Sequence, residues 1–143
     1  MSHSTHPYQK ELEVATLAVK RASLLTKQLS DSIVQTAKSG ILTKDDKSPV
    51  TIGDFALQAI INHAIKLNFP NDEIVGEEDS KEVQENSSLA DQVLSLITKI
   101  QKETSGYNDI VGTLTDKNKV FESIDFGNSQ GGLKGRFWAL DPI

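Results

Sequence analysis

Two short apolar runs, EIVG at 73–76 and FWAL at 137–140, are each followed at once by acidic residues. Both runs have the length of a β-strand, whereas the segments before and between them carry apolar residues at the three- and four-residue spacing of helices. The resulting order of helix, helix, strand, helix and strand predicts an α/β or α+β fold. We expect residues 1–7 to form a flexible tail and residues 8–143 to form the domain itself.

The longest predicted helix begins near Pro7 and ends at Ser39-Gly40, because proline suits the first position of a helix and glycine often follows its end. Its apolar residues recur at positions three and four apart, which predicts one buried stripe. The residues of this stripe are Leu12, Ala15, Val19, Ala22, Leu25 or Thr26, Leu29 and Ile33. Arg21 lies away from the stripe.

Three further helices are predicted, with two polar connections between them. One runs from about Thr51 to Phe69 and is capped by Thr51, another begins after a Ser88 cap, and a short one covers 116–125. Residues 79–88 are expected to be a charged loop, and residues 107–119 to be irregular. Ile41 and Leu42 could begin a short strand, and the glycine-rich stretch GNSQGGLKG at 127–135 is predicted to be a loop.

Composition excludes several classes of function. The 143 residues carry a net charge of −5, so a broad affinity for nucleic acid or for anionic membranes is not expected. There is no cysteine, which rules out disulfides, thiolate catalysis and cysteine-bound zinc. No apolar run approaches the roughly 20 residues of a membrane span, and the N-terminus does not resemble a signal peptide. A cytoplasmic location is the expectation.

The acids after the two apolar runs, together with one on the second helix, are the candidate functional residues: Asp54, Glu77, Glu78 and Asp141. Carboxylates gathered in one place repel one another unless a cation joins them, and an oxygen-only set suits Mg²⁺, Mn²⁺ or Ca²⁺. Each acid also has a simpler interpretation. Asp54 could complete a capping box with Thr51, the run Glu77-Glu78-Asp79 could be a solvated acidic loop, and Asp141 could bond to backbone in an Asp-Pro turn.

Three motifs, SPVTIGD at 48–54, IVGEE at 74–78 and WALDPI at 138–143, resemble the Mg²⁺-dependent, lithium-sensitive phosphomonoesterase superfamily. This superfamily includes inositol monophosphatase and fructose-1,6-bisphosphatase. The flanking segments at 11–27, 45–70 and 124–143 are similar to the fungal 3′(2′),5′-bisphosphate nucleotidases. The resemblance covers most of the chain from residue 8, apart from a variable loop at about 79–115.

The resemblance implies a role for individual residues. Glu77, Asp141 and the backbone carbonyl of Ile143 would be Mg²⁺ ligands, and Asp54 would orient or deprotonate the attacking water. Thr51 would cap the helix that presents Asp54, and Glu78 would support the metal ligands. Lys134 and Arg136 could contact phosphate, although basic residues beside a glycine-rich loop are more often solvated.

The same resemblance implies an activity and a fold. The activity would be removal of the 3′(2′)-phosphate from adenosine 3′,5′-bisphosphate, giving AMP, and from its sulfated form PAPS. Two or three Mg²⁺ ions would assist, and Li⁺ or Na⁺ would inhibit. This chemistry is linked to sulfate assimilation and salt tolerance. The fold would be the N-terminal part of a layered αβαβα sandwich.

Two alternatives stay open beside this hypothesis. The substrate could instead be an inositol (poly)phosphate, or the chain could be a non-catalytic helical module that binds a partner protein. The chain also ends within the motif Asp-Pro-Ile-Asp-Gly-Thr of the superfamily. We therefore expect it to need the C-terminal part of a longer enzyme as its partner and to be inactive alone.

Overall fold

The computed structural model describes residues 7–39, 49–131 and 135–141 and shows a mainly helical chain with one small parallel sheet. This agrees with an α/β fragment. The predicted strand at Ile41–Leu42 and the tail up to residue 6 lie outside the described residues. The elements are α1 (Gln9–Ser39), α2 (Pro49–Asn68), β1 (Glu73–Val75), α3 (Lys81–Glu85), α4 (Ser87–Glu103), α5 (Asn108–Val111), α6 (Lys117–Asp125) and β2 (Phe137–Ala139), with a 3₁₀ turn at Ser105–Tyr107.

Helix α2 begins two residues earlier than the sequence indicates. Its first residue is Pro49, so Thr51 lies within the first turn. The prediction that Thr51 is the N-cap is therefore wrong, and so is the capping-box interpretation of Asp54. The physical reason is that proline has no N–H to lose and a φ angle already suited to the first helical position.

The buried face of α1 also differs from the predicted stripe. Leu12 is 65% exposed and Val19 is 54% exposed. Ala22 and Leu25 of the predicted stripe are buried, as expected, but the other buried residues of this face are Val14, Ala18 and Arg21. The prediction that Arg21 lies away from the buried face is wrong, because its guanidinium donates hydrogen bonds to acceptors on or next to α5 and next to α4.

The segment between α2 and β2 contains more helix than predicted. Residues 81–85 of the expected charged loop form α3, and residues 108–111 of the expected irregular stretch form α5. Helix α4 is capped by Asn86 rather than Ser88, because the Asn86 side chain accepts a hydrogen bond from the Leu89 N–H at 3.1 Å. Helix α6 is confirmed at 117–125, where Asp116 caps it.

Helix α2 is the central element, with apolar residues on two faces. On one face Ala56 and Ile60 belong to a core shared with α4 and α6. On the other, Ile61, Ala64 and Ile65 pack with α1 and with Ile74 of β1. Because α2 is covered on both sides, its position relative to the sheet is fixed. None of the helices in the described ranges is long and apolar enough to cross a membrane.

The sheet pairs β1 with β2 in parallel, in the register Glu73–Phe137, Ile74–Trp138 and Val75–Ala139. The other edge of β1 is covered by the segment after α6. There the Gly76 N–H donates to the Gly127 carbonyl at 2.8 Å, and the Ser129 N–H donates to the Ile74 carbonyl at 3.2 Å. Strand β1 is thus held on both edges, and Ile74 is fully buried.

Candidate functional site

The parallel register brings Glu77 and Asp141 to the same end of the sheet. Val75 is opposite Ala139, and each acid lies two residues beyond its member of this pair. The Leu140 N–H donates to the Val75 carbonyl at 2.9 Å, which extends the pairing one residue towards Asp141. Neighbouring strands lie about 4.8 Å apart, so the acids leave the sheet side by side at its carboxyl end, where sheet proteins often bind ligands.

Asp54 reaches the same region from helix α2. Gln58, one turn further along α2, donates from Nε2 to the Glu78 carbonyl at 2.7 Å, and its Oε1 accepts the Glu78 N–H at 3.0 Å. Residues four apart on a helix lie on one face, so Asp54 is on the side of α2 that faces the Glu77–Glu78 segment. The structure therefore places Asp54 with the acids that follow β1.

Negative charge is concentrated around these residues. Burial raises the pKa of Glu78, and the nearby charges of Asp54 and Glu77 raise it further. Burial also raises the pKa of Asp54. The acids after β1 line a cleft of about 300 Å³ that is bounded on its other side by α3. A cation in this region would relieve the repulsion that raises the pKa of Glu78.

The donor chemistry of these residues fits Mg²⁺, because all the donors are carboxylate oxygens and Glu77 and Asp141 are both exposed. Within residues 7–39, 49–131 and 135–141, no three His, Asp or Glu side chains are close enough together to hold a metal ion. The predicted carbonyl ligand of Ile143 lies outside these ranges.

Arg136 is not brought together with the acids. It precedes β2, at the amino end of the sheet, and forms ion pairs with Glu11 at 2.5 Å and Asp72 at 2.7 Å. Its guanidinium also lies over the Phe69 ring, 5.0 Å from the centroid. These contacts join β2 to α1 and to the end of α2. Lys134, the other predicted phosphate contact, lies outside the described residues.

Sequence reasoning missed Gln58 and its neighbour Asn62. Both are fully buried, and both donate to backbone carbonyls at the end of α6. A signal was present, because they are amides at a four-residue spacing within the apolar face of α2. Buried amides must satisfy their hydrogen bonds, so their position in an apolar face indicates specific backbone partners.

No protein-family model matches the chain. A Candida albicans (strain SC5314) protein named 3′(2′),5′-bisphosphate nucleotidase 2 is 92% identical over 143 residues, which are all of this chain and 40% of that protein. The 3′(2′),5′-bisphosphate nucleotidase of Emericella nidulans is 46% identical over 137 residues, 95% of this chain and 38% of that protein. A probable 3′(2′),5′-bisphosphate nucleotidase 4 of Arabidopsis thaliana is 35% identical over 140 residues, 96% of this chain and 39% of that protein. By sequence, the chain belongs to the family of these 3′(2′),5′-bisphosphate nucleotidases and spans about 40% of the length of the curated relatives that it matches.

Proposed function

We propose that the protein containing these residues is a Mg²⁺-dependent phosphomonoesterase that removes the 3′(2′)-phosphate from adenosine 3′,5′-bisphosphate. The observation that supports this most strongly is the parallel register, in which Glu77 and Asp141 leave neighbouring strands at the same end. Asp54 on helix α2 faces the same region and adds a third acid from a separate element. The names of the relatives supply the class of substrate.

Each acid has a distinct part in the proposal. Glu77 and Asp141, with the carbonyl of Ile143, would hold Mg²⁺ through hard oxygen donors. Bound Mg²⁺ neutralises phosphate charge and lowers the pKa of water. Asp54 orients the attacking water and holds its proton. A raised pKa suits that task, because a carboxylate that is too weak a base would not retain the proton.

The finer features of the family are part of the same proposal. The complete protein would use two or three Mg²⁺ ions, be inhibited by Li⁺ or Na⁺, accept PAPS as well, and act in sulfate assimilation and salt tolerance. The 143 residues alone would be inactive, because the acids described here do not complete a metal site.

The test is phosphate release by the complete protein, with adenosine 3′,5′-bisphosphate and an inositol polyphosphate compared side by side in the presence of Mg²⁺. We expect Glu77→Gln to lower the rate at least about 100-fold, because it removes an anionic metal ligand. Glu73→Gln is the matched control, since Glu73 is an exposed acid at the opposite end of the same strand.

Three results would count against the proposal. Faster turnover of the inositol polyphosphate would give the site a different substrate. Equal effects of the substitutions at Glu77 and Glu73 would remove the role assigned to the carboxyl end of the sheet. A complete protein that neither binds Mg²⁺ nor releases phosphate would instead support the non-catalytic helical module.

A further inference from the structure

One buried side chain connects the helix that carries Asp54 to the strand end that carries Glu77. Gln58 is 0% exposed, and its amide makes three hydrogen bonds to backbone. Nε2 donates to the Glu78 carbonyl at 2.7 Å and to the Ile124 carbonyl at 2.9 Å, while Oε1 accepts from the Glu78 N–H at 3.0 Å. Both polar groups of the Glu78 backbone are therefore bound by a single amide.

The amide is also confined by two glycines. A Cβ atom added to Gly76 would lie 2.9 Å from the Gln58 amide carbon, and one added to Gly127 would lie 2.8 Å from Nε2. Neither position has room for a side chain while the amide stays in place. The Gly76 N–H and the Gly127 carbonyl are themselves bonded at 2.8 Å, so both walls of this enclosure are fixed.

We propose that Gln58 is a positioning residue for the candidate metal site, and this inference rests on the proposed function. By holding the backbone of Glu78, Gln58 fixes the direction in which the neighbouring Glu77 carboxylate leaves the sheet. Because Asp54 is one turn away on the same helix, the same contact sets the spacing between Asp54 and Glu77. Gln58 touches neither metal nor substrate in this proposal, and it acts through the backbone.

The chemistry of the amide explains why glutamine is suited to this position. The Glu78 backbone offers one donor and one acceptor, and only a side chain with both an acceptor and a donor can bind the pair. Methionine has a similar length and volume, but it has no donor and its sulfur is only a weak acceptor. Gln58→Met therefore removes the hydrogen bonds with little change in packing.

The experiment measures the binding of Mg²⁺ alone to the complete protein by titration calorimetry. We expect Gln58→Met to weaken Mg²⁺ binding about 10- to 100-fold, the range typical of residues that orient metal ligands. The Mg²⁺ concentration for half-maximal phosphate release should rise by a similar factor. At saturating Mg²⁺ the rate should recover towards that of the unsubstituted protein, which a general loss of structure would not allow.

Asn62→Leu is the matched control. Asn62 is also 0% exposed and donates to the Ser123 carbonyl at 3.0 Å and to the Ile124 carbonyl at 3.4 Å. Its hydrogen bonds go to the end of α6 and not to the Glu77–Glu78 segment. We expect Asn62→Leu to lower stability while leaving the affinity for Mg²⁺ within twofold of the unsubstituted protein.

A second variant tests the same contact without altering the amide. Gly127→Ala adds a methyl group that must displace Nε2, and we expect it to weaken Mg²⁺ binding in the same direction. Unchanged Mg²⁺ affinity in folded Gln58→Met or Gly127→Ala protein, or equal losses in these variants and in Asn62→Leu, would overturn the inference. Failure of the unsubstituted protein to bind Mg²⁺ would overturn the proposed function itself, and that result is visible before any variant is made.

Discussion

The guanidinium of Arg21 donates a hydrogen bond of 2.8 Å from Nε to the hydroxyl of Thr104, across 83 residues of sequence. Its remaining bonds go to the Thr104 carbonyl at 2.9 Å, the Gly112 carbonyl at 2.9 Å and the Asn108 side-chain oxygen at 2.5 Å. Arg21 is 1% exposed, and all four acceptors are neutral. Burial lowers the pKa of Arg21, because it removes water from around the charge. The dipoles of the four acceptors take the place of that water.

We expect Arg21→Met to lower the free energy of unfolding by at least about 2 kcal/mol, because several buried acceptors would lose their donor. Urea unfolding followed by circular dichroism would measure the loss. Lys20→Met is the control, since Lys20 is the exposed neighbour on the same helix and should change stability by less than about 0.5 kcal/mol. Similar losses in both variants would contradict the role assigned to Arg21.

A second prediction concerns Gly112, which ends α5 with a φ of +73°. A Cβ atom there would lie 2.8 Å from both the His63 ring and the Leu67 side chain. Gly112→Ala therefore combines backbone strain with a steric clash, and we expect it to cost about 1–3 kcal/mol. Thermal unfolding would show the loss as a lower midpoint.

Gly106 provides the comparison for that substitution. An added Cβ at Gly106 has no neighbour within 4 Å, and the residue does not have a positive φ. Gly106→Ala should leave the midpoint unchanged or raise it slightly, because alanine restricts the unfolded chain. If Gly106→Ala were as destabilising as Gly112→Ala, the local geometry would not be the cause.

The third prediction is a pH dependence of stability caused by His63. Burial lowers the pKa of His63, the charges of Lys119 and Arg21 lower it further, and Glu122 opposes them. Because the folded state disfavours the protonated ring, its contribution to stability is complete above the unfolded pKa of about 6.5. That contribution is lost as the pH falls from there towards the lower folded pKa.

Unfolding in urea at pH 7.5 and pH 5.5 would measure this dependence. Stability should fall between these two values in the unsubstituted protein and fall less in His63→Gln, whose side chain does not titrate. The pKa values of Asp54 and Glu78 are raised in both proteins alike, so the difference between the two decreases reports on His63. An identical decrease in both proteins would show that His63 is not responsible.

Much of the fold could be predicted because helices and strands follow local rules. Apolar spacing identified α1, α2, α4 and α6, and the two short apolar runs identified β1 and β2. The boundaries were less predictable, because several residues competed for each cap. Thr51 and Ser88 both have side chains that can cap a helix, yet α2 begins at Pro49 and α4 is capped by Asn86. Where a helix begins depends on where the preceding chain can turn.

The buried polar residues could not be predicted in the same way. Arg21 and Gln58 bind backbone and side-chain groups that are far away in sequence, so no local pattern specifies their partners. For the site, the sequence suggested that Asp54, Glu77 and Asp141 come together, but only the register of β1 and β2 gives the relative placement of the last two. Register is a tertiary property that apolar runs of three or four residues do not encode.

The parallel pairing of β1 and β2 also has a consequence for folding kinetics. In the described part of the connection, four α-helices lie between the two strands, so closing the sheet carries the entropy cost of a long connection and should follow formation of those helices. Trp138, the single tryptophan, lies on β2 with its Nε1 donating to Asp72 at 3.0 Å. In stopped-flow refolding, its fluorescence should therefore change later than the far-ultraviolet signal of the helices, and a simultaneous change would contradict this order. Newly made protein would then bring Glu77 and Asp141 to the same end of the sheet only in the last stage of folding.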